Sequence, residues 1–344
     1  MPTTRTGSRR RAGRGREGAR ARFVLRLAGV VYLGALLALA ALVWWPSERL
    51  WPVTLFLFGP RWVFALPLAL LVPAGAIADR RLAAALVVAA ALLAEPLFGF
   101  CIPWSRVLDR SSSDASVRVA TWNVGGGVEP GALGLMMALE SPDVVVLQES
   151  GPEAIEAPPG WHRHVEGGMA LLSRFPILDA AARDPKDMWE LAGSGAVVRY
   201  GLDTPLGRID LTSVHLETPR EGLESILRFG PGAASELVAK NEQREIEARV
   251  ARRWVDESPS PLRLVAGDFN TPVESHIFRD HWSGFRDCHS AAGWGFGFTK
   301  RTRRIGTRID HVLAGPGLAC ASASVGDRQG GDHAPVVVEI RLRR

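Results

Sequence analysis

The chain has 344 residues, 47% of them hydrophobic and 22% charged, which leaves room for one large domain and something more. Its net charge of +5 is unevenly placed: the first 26 residues carry nine arginines and one acid, whereas residues 115–344 carry −4. The C-terminal two thirds therefore lack the overall basicity of a domain built to grip a nucleic acid backbone, and no Cys/His cluster points to zinc.

Taken in chain order, residues 1–26 are an Arg/Gly-rich tail with little to pack, expected to be disordered and cytoplasmic. Residues 27–104 read as a membrane anchor. The run "LAGVVYLGALLALAALVWW" (27–45) is long enough to cross a hydrocarbon core. A second apolar stretch, 51–78, is broken by Gly59-Pro60-Arg61, so its spanning part is 62–78. A third occupies 82–104 and contains Glu95-Pro96, read as a kink or as a functional acid inside the membrane. Arginines in the tail and in the loop Asp79-Arg80-Arg81 place both inside, and Trp44, Trp45, Trp51 and Trp104 suit the outer interface. Three spans put everything after Trp104 outside the cytoplasm; the competing reading is a cleaved signal peptide.

A polar linker (105–116) leads into a domain over 117–344. Strands are expected near 117–123, 144–147, 169–173, 196–202, 208–215, 262–266, 309–314 and 334–340, with helices over 132–140 and 234–256. The longer helix carries Leu237, Val238, Ile246, Val250 and Trp254 on one face, and its charges read as a solvated face. Many strands with few long helices indicate a layered α/β domain. Cys288 and Cys320 share it, and an oxidising compartment would permit a disulfide; two cysteines that never meet fit equally well.

Polar residues gather at the strand ends: Asn123, Gln148 and Glu149, His215, Asp268 and Asn270, Asp310, and Asp332 with His333. One such acid would be a turn former; six strand ends are hard to explain that way. Carboxylates and amides are hard ligands suited to Mg²⁺ or Mn²⁺. Histidines among them suit general acid work or charge neutralisation at phosphorus. Together they indicate metal-assisted attack of water on a phosphoryl group.

The motifs "TWNV", "LQE", "ALLSRFPI", "SVHLE", "GDFN", "RIDHVL" and "GDHAPV" occur in this order, and residues 115–344 resemble the endonuclease/exonuclease/phosphatase superfamily, the deoxyribonuclease-I-like fold. The resemblance implies a four-layer α/β/β/α sandwich with the site at one end. It also implies roles: Glu149 as principal metal ligand with Asp332 in the metal or water network, and Asn123 supporting metal or phosphate. Asp268 would orient or deprotonate the water and Asn270 would hold the phosphate. Asp310 would hold a charged His333, which donates to a phosphate oxygen, and His215 would serve the phosphate from the other side. Some members pair that last histidine with a glutamate on the preceding strand; here that strand begins Gly193-Ser194-Gly195-Ala196, without an acid.

For the substrate, "GWGFGFTKRTRRIGTR" (293–308) places aromatics before Lys300, Arg301, Arg303, Arg304 and Arg308, so that these basic residues, Arg304 and Arg308 above all, would meet a diphosphate while the aromatics dip into a bilayer interface. The layout resembles a membrane-anchored bacterial subgroup similar to glycopeptide-resistance proteins that act on undecaprenyl pyrophosphate. The implied partners are the membrane lipid bilayer and a phosphorylated lipid substrate such as polyprenyl pyrophosphate. The alternatives are a phosphodiesterase for extracellular nucleic acid or for phospholipid, and a catalytically silent binding module.

Overall fold

The computed structural model describes residues 6–104, 115–125, 129–151, 155–183, 195–302 and 305–343. The chain folds as two units, one of Met1–Trp45 and Arg61–Phe98, the other of Pro46–Pro60 and Gly99–Arg344.

The first unit holds helices α1 (Thr6–Trp44), α3 (Leu66–Ala78) and α4 (Arg80–Ala94); α2 (Trp51–Phe58) belongs to the second. Helix α1 takes in most of the Arg/Gly-rich tail, for which disorder was expected. Among the described residues, two helical stretches are long and apolar enough to cross a membrane, Arg16–Trp44 and Arg61–Ala78. The expected third span is not among them. Asp79 caps the start of α4 by accepting from the amides of Arg81 and Leu82, and the helix stops at Ala94, before Pro96. Its 15 residues reach about 22 Å at 1.5 Å per residue, short of a core of about 30 Å.

The second unit is built from fourteen strands among the described residues. In chain order they and their helices are β1 (Val117–Asn123), α5 (Ala132–Glu140), β2 (Val144–Gln148), β3 (His162–Glu166), β4 (Met169–Ser173), β5 (Ile177–Ala182), β6 (Ala196–Thr204) and β7 (Gly207–His215). There follow α6 (Arg220–Phe229), α7 (Ala234–Asp256), β8 (Arg263–Asp268), α8 (His276–Trp282), β9 (Arg286–Asp287), α9 (Cys288–Ala292), β10 (Lys300–Thr302), β11 (Ile305–Thr307), β12 (Asp310–Ala314), β13 (Leu318–Val325) and β14 (Val336–Leu342). Two six-stranded sheets result, ordered β13-β14-β1-β2-β4-β3 and β5-β6-β7-β8-β12-β9, with β10-β11 a separate ribbon.

Strand alternation sorts the residues into layers. Val117, Val119, Val144 and Val146 face inward against Tyr200, Leu211, Leu264 and Val312 of the other sheet. On the first sheet's outer face, Ala120, Trp122, Val145 and Leu147 pack on Met136 of α5. On the second, Val214, Val265 and Leu313 pack on Val250, Ala251 and Val255 of α7 and on Ile277 and Trp282 of α8. The layers are helix, sheet, sheet and helix. Cys288 and Cys320, left open by the sequence, form a disulfide between α9 and β13.

The segment Pro46–Pro60 was expected to be part of the anchor, but it packs into this sandwich. Asn241 of α7 donates to the Glu48 carbonyl at 3.1 Å and to Thr54 Oγ1 at 2.8 Å, and the amide of His276 donates to Ser47 Oγ at 3.1 Å.

Candidate active site

Strand register brings the polar residues together. In the second sheet His215 lies opposite Asp268 in the parallel pair β7/β8, and Asp310 lies opposite Asp268 in the antiparallel pair β8/β12. In the first sheet the parallel pair β1/β2 ends with Asn123 opposite Gln148, one residue before Glu149. Both sheets thus end their central strands at one edge of the sandwich. Gly267 permits the close approach just before Asp268: it sits at φ +146°, and a Cβ there would lie 1.9 Å from the Val214 carbonyl oxygen.

Asn123 ties the sheets together, its Nδ2 donating to Glu149 Oε1 at 2.8 Å and to Asp268 Oδ2 at 3.0 Å. Gly125 leaves room for the Glu149 carboxylate, since a Cβ there would meet Oε2 at 2.0 Å. Two non-glycine residues of the site take left-handed backbone, Glu149 at φ +52° and Asn270 at φ +47°. Such conformations persist where the surroundings over-determine them. At Asn270 those surroundings are visible: its amide donates to Asp268 Oδ1 and its Nδ2 to the Leu216 carbonyl, both at 2.8 Å. A cavity of about 140 Å³ opens among Glu149, His215, Asp268, Asn270, Lys300 and His333.

The electrostatics follow from burial. Asp268 is buried, and burial together with the neighbouring Asp310 carboxylate raises its pKa. His333 is also buried, which alone would lower its pKa, but Asp310, 2.9 Å from Nδ1, and Asp268 outweigh this and carry it up to about 9. Lys300 Nζ lies 2.7 Å from His333 Nε2, a contact that requires an unprotonated ring nitrogen, so it disagrees with an imidazolium. The carboxylates decide it, because Lys300 has an alternative partner in Asp332 Oδ2 at 2.8 Å, and an anion placed between the two cations would satisfy both. His215 Nε2 stands 3.5 Å from Glu149 Oε1 and 4.0 Å from Asp268 Oδ2.

Not every expected site residue is here. Arg308 is buried, with NH1 on Asp287 Oδ1 and His289 Nδ1, both at 3.0 Å, and NH2 on Ser290 Oγ. It is an internal strut rather than a substrate ligand, because its fork is consumed by neighbours. Arg304 lies outside the described residues. The Asp332 carboxylate, expected in the metal or water network, is engaged by Lys300. Lys300, one of the basic residues expected to meet a diphosphate, lines the cavity, and so does Arg220, which was not picked out from sequence. Below it, His311 Nδ1 contacts Asp287 at 3.0 Å and Nε2 contacts the Thr271 carbonyl at 2.9 Å. Lys300 lies in the basic segment noted in the sequence; Arg220 carries no sequence signal.

Residues 120–333 match the model of the endonuclease/exonuclease/phosphatase family. The chain belongs to that family. No curated protein matches it. Among solved structures, a humanised form of TDP2 from D. rerio is similar, with 18% identity and a TM-score of 0.50, over 66% of this chain and 99% of that one. An endonuclease/exonuclease/phosphatase protein from Bacteroides vulgatus has 15% identity and a TM-score of 0.50, over 67% of this chain and 100% of that one. At these identities the likeness is one of fold. It covers the sandwich and agrees with its two packed sheets.

The strand before His215 lacks an acid, but a helix carries a carboxylate close enough for the two charges to act on each other. Glu247 of α7 is fully buried, and its carboxylate accepts from the amides of Gly195 at 2.8 Å and Glu217 at 2.6 Å. Gly195 makes this possible, since a Cβ there would lie 2.6 Å from Glu247 Oε2. Burial raises the Glu247 pKa, the two amides and the charge of His215 opposing it.

Enzymes of the family are phosphoesterases and nucleases that use divalent metal ions, which makes this chain a hydrolase with a candidate metal site. Among the described residues, two arrangements of donors can be weighed against such an ion. Asp268, Asp310 and His333 could bring three ligand atoms within 4.8 Å of one another. However, the His333 ring is bound to Asp310 and raised toward its charged form, so it makes a poor ligand. Glu149 instead is half-exposed toward the cavity and is held by Asn123 through one oxygen. A single carboxylate with water and substrate oxygens suits a hard cation.

Proposed function

We propose that this protein hydrolyses a phosphoric ester or pyrophosphate with the help of Mg²⁺ or Mn²⁺, and that the substrate is a phosphorylated lipid such as polyprenyl pyrophosphate, met at a membrane surface outside the cytoplasm. The observation that carries the hydrolase reading is the convergence of Glu149, Asp268, Asn270, His215 and the Asp310–His333 pair on one small cavity. Glu149 would hold the ion, which supplies charge neutralisation at the phosphoryl oxygens.

The chain's own groups do the rest. Asp268, its pKa raised, takes the proton of the attacking water. Asn270 presents its remaining Nδ2 hydrogen to a phosphoryl oxygen. His333, held charged by Asp310, donates from Nε2 to another, with Lys300 and Arg220 adding positive charge around it and His215 lining the cavity beside Glu149. Water oxygen bonds to phosphorus as the bond from phosphorus to the leaving oxygen breaks.

Three features support the lipid and the location. Two apolar helices precede the domain. Phe100, pinned beside Gly295 by the Cys101 backbone, meets Trp294 and Phe296 edge-on at 5.7 and 5.1 Å, and these two aromatics are exposed close in sequence to Lys300. The disulfide favours an oxidising compartment. Crossing by Arg16–Trp44 alone, with its arginines inside, puts the domain outside, whereas crossing by both helices would separate Pro46–Pro60 from the sandwich it packs into. The packing of Pro46–Pro60 and the disulfide both favour the first arrangement.

The test is a panel of polyprenyl pyrophosphate, plasmid DNA and sphingomyelin offered with Mg²⁺. Phosphate release from the first alone supports the reading, and plasmid nicking at a comparable rate overturns it in favour of a nuclease. An Asp268→Ala protein with undiminished turnover overturns the site.

A further inference from the structure

The catalytic edge is held from behind by a buried ion pair, one partner of which lies outside the stretch matched to the family. Arg244 of α7 is buried, and its guanidinium reaches two ways. NH2 donates to the Asn270 carbonyl and to Thr271 Oγ1, both at 2.9 Å. NH1 donates to Glu48 Oε1 and to Asn241 Oδ1, both at 3.0 Å. Glu48 is itself buried, with its second oxygen hydrogen-bonded to Ser275 Oγ and 3.4 Å from His276 Nδ1. It stands four residues after α1 ends at Trp44, in the short turn Ser47–Arg49, and more than 70 residues before the first residue matched to the family.

We infer that Glu48 and Arg244 are positioning residues for the hydrolytic site, setting the left-handed Asn270 loop through the Asn270 carbonyl and the Thr271 hydroxyl. The inference rests on the site reading above. Its physical basis is the coincidence of three observations. Asn270 adopts a conformation that a non-glycine residue holds only under restraint. The restraint on its carbonyl side comes from one planar fork that matches two acceptors at once. That fork is buried and its charge is balanced by Glu48, so loss of Glu48 leaves an uncompensated buried cation under the loop. The segment Pro46–Pro60, placed by sequence between two apolar helices, thus completes the site of a domain that begins far downstream.

The experiment uses the full chain in detergent with Mg²⁺ and whichever substrate of the panel it turns over. Glu48→Gln should lower kcat by about 10- to 100-fold with KM changed less than about threefold, the size expected from misplacing a reacting group by an ångström or less. Arg244→Lys keeps the charge opposite Glu48 and loses the fork, and should show the same split even if Glu48→Gln folds poorly. Val255→Ala, in the packed layer away from the site, should lower the melting temperature while leaving kcat intact, which separates positioning from plain destabilisation. Folded Glu48→Gln and Arg244→Lys proteins with wild-type kcat overturn the inference, as does failure of both to fold, which makes the pair a folding element. Undiminished activity in Asp268→Ala overturns the site reading instead, so the two failures are distinguishable.

Discussion

Single atoms decide the shape of this site. At Gly267 a methyl group would sit 1.9 Å from the Val214 carbonyl oxygen, at a φ that L residues rarely adopt. Gly267→Ala should therefore cost at least about 2 kcal/mol in chemical denaturation and, by forcing β7 and β8 apart between His215 and Asp268, abolish turnover. Unchanged stability would mean that the strands separate freely. At Glu247 a carboxylate accepts two backbone amides, and an amide side chain would turn an NH₂ toward one of them. Glu247→Gln should lose about 1–3 kcal/mol and slow turnover by removing negative charge near His215. Gly195→Ala, which displaces the same carboxylate, should reproduce the loss of turnover; full activity in both variants would sink the role given to Glu247. Glu247 did not stand out in the sequence, because it reads as one charge among many on a helix, and Gly195 was noted only for the acid missing around it.

Among elements, legibility follows the hydrophobic period. Strands β1 and β4 and helices α5 and α7 have the bounds read from sequence, since each carries an unbroken apolar pattern. Strand β3, "HRHVE", pairs at the sheet edge with mostly exposed or half-buried side chains, and β13, "LACASASV", is built of small residues that do not favour strands, so neither announced itself. The strand-end acids and histidines were visible because strands end where apolar runs stop. What lies under them was not: Asn241, Arg244 and Glu247 recur every third residue along α7 and are buried, although a charged helix reads as solvated. Their partners lie some 190 residues upstream or on other loops, beyond the reach of local pattern. The buried pair makes a pH prediction. Burial alone would raise the Glu48 pKa, but Arg244, with His276 and Ser275, lowers it from 4.5 to about 2. The depressed folded value means that this stabilisation, on the order of 3 kcal/mol at most, is present above pH 4.5 and is lost as pH falls toward 2. Thermal unfolding of the wild type between pH 6 and pH 2.5 should therefore drop more steeply than that of Glu48→Gln; parallel curves would show that Glu48 is not held ionised in the fold.

At the scale of the whole molecule, the proposed location outside the cytoplasm cannot be counted from spans, because the helix of the third apolar segment stops at Ala94. The Cys288–Cys320 bond supplies an independent reporter, because cytosolic thiols are kept reduced and outward ones are not. The bond closes a separation of 32 residues, which by loop entropy contributes about 3–4 kcal/mol. A Cys288→Ser/Cys320→Ser protein should melt lower by several degrees yet keep its kcat, since neither sulfur lines the catalytic cavity. Protein taken from cells, denatured without reductant and treated with a heavy maleimide, should gain one adduct, at Cys101, and three after reduction. Three adducts without reductant would place the domain on the reducing side and remove the support for an extracellular lipid. One adduct shows the Cys288–Cys320 bond closed in the cell, as the proposed location outside the cytoplasm requires.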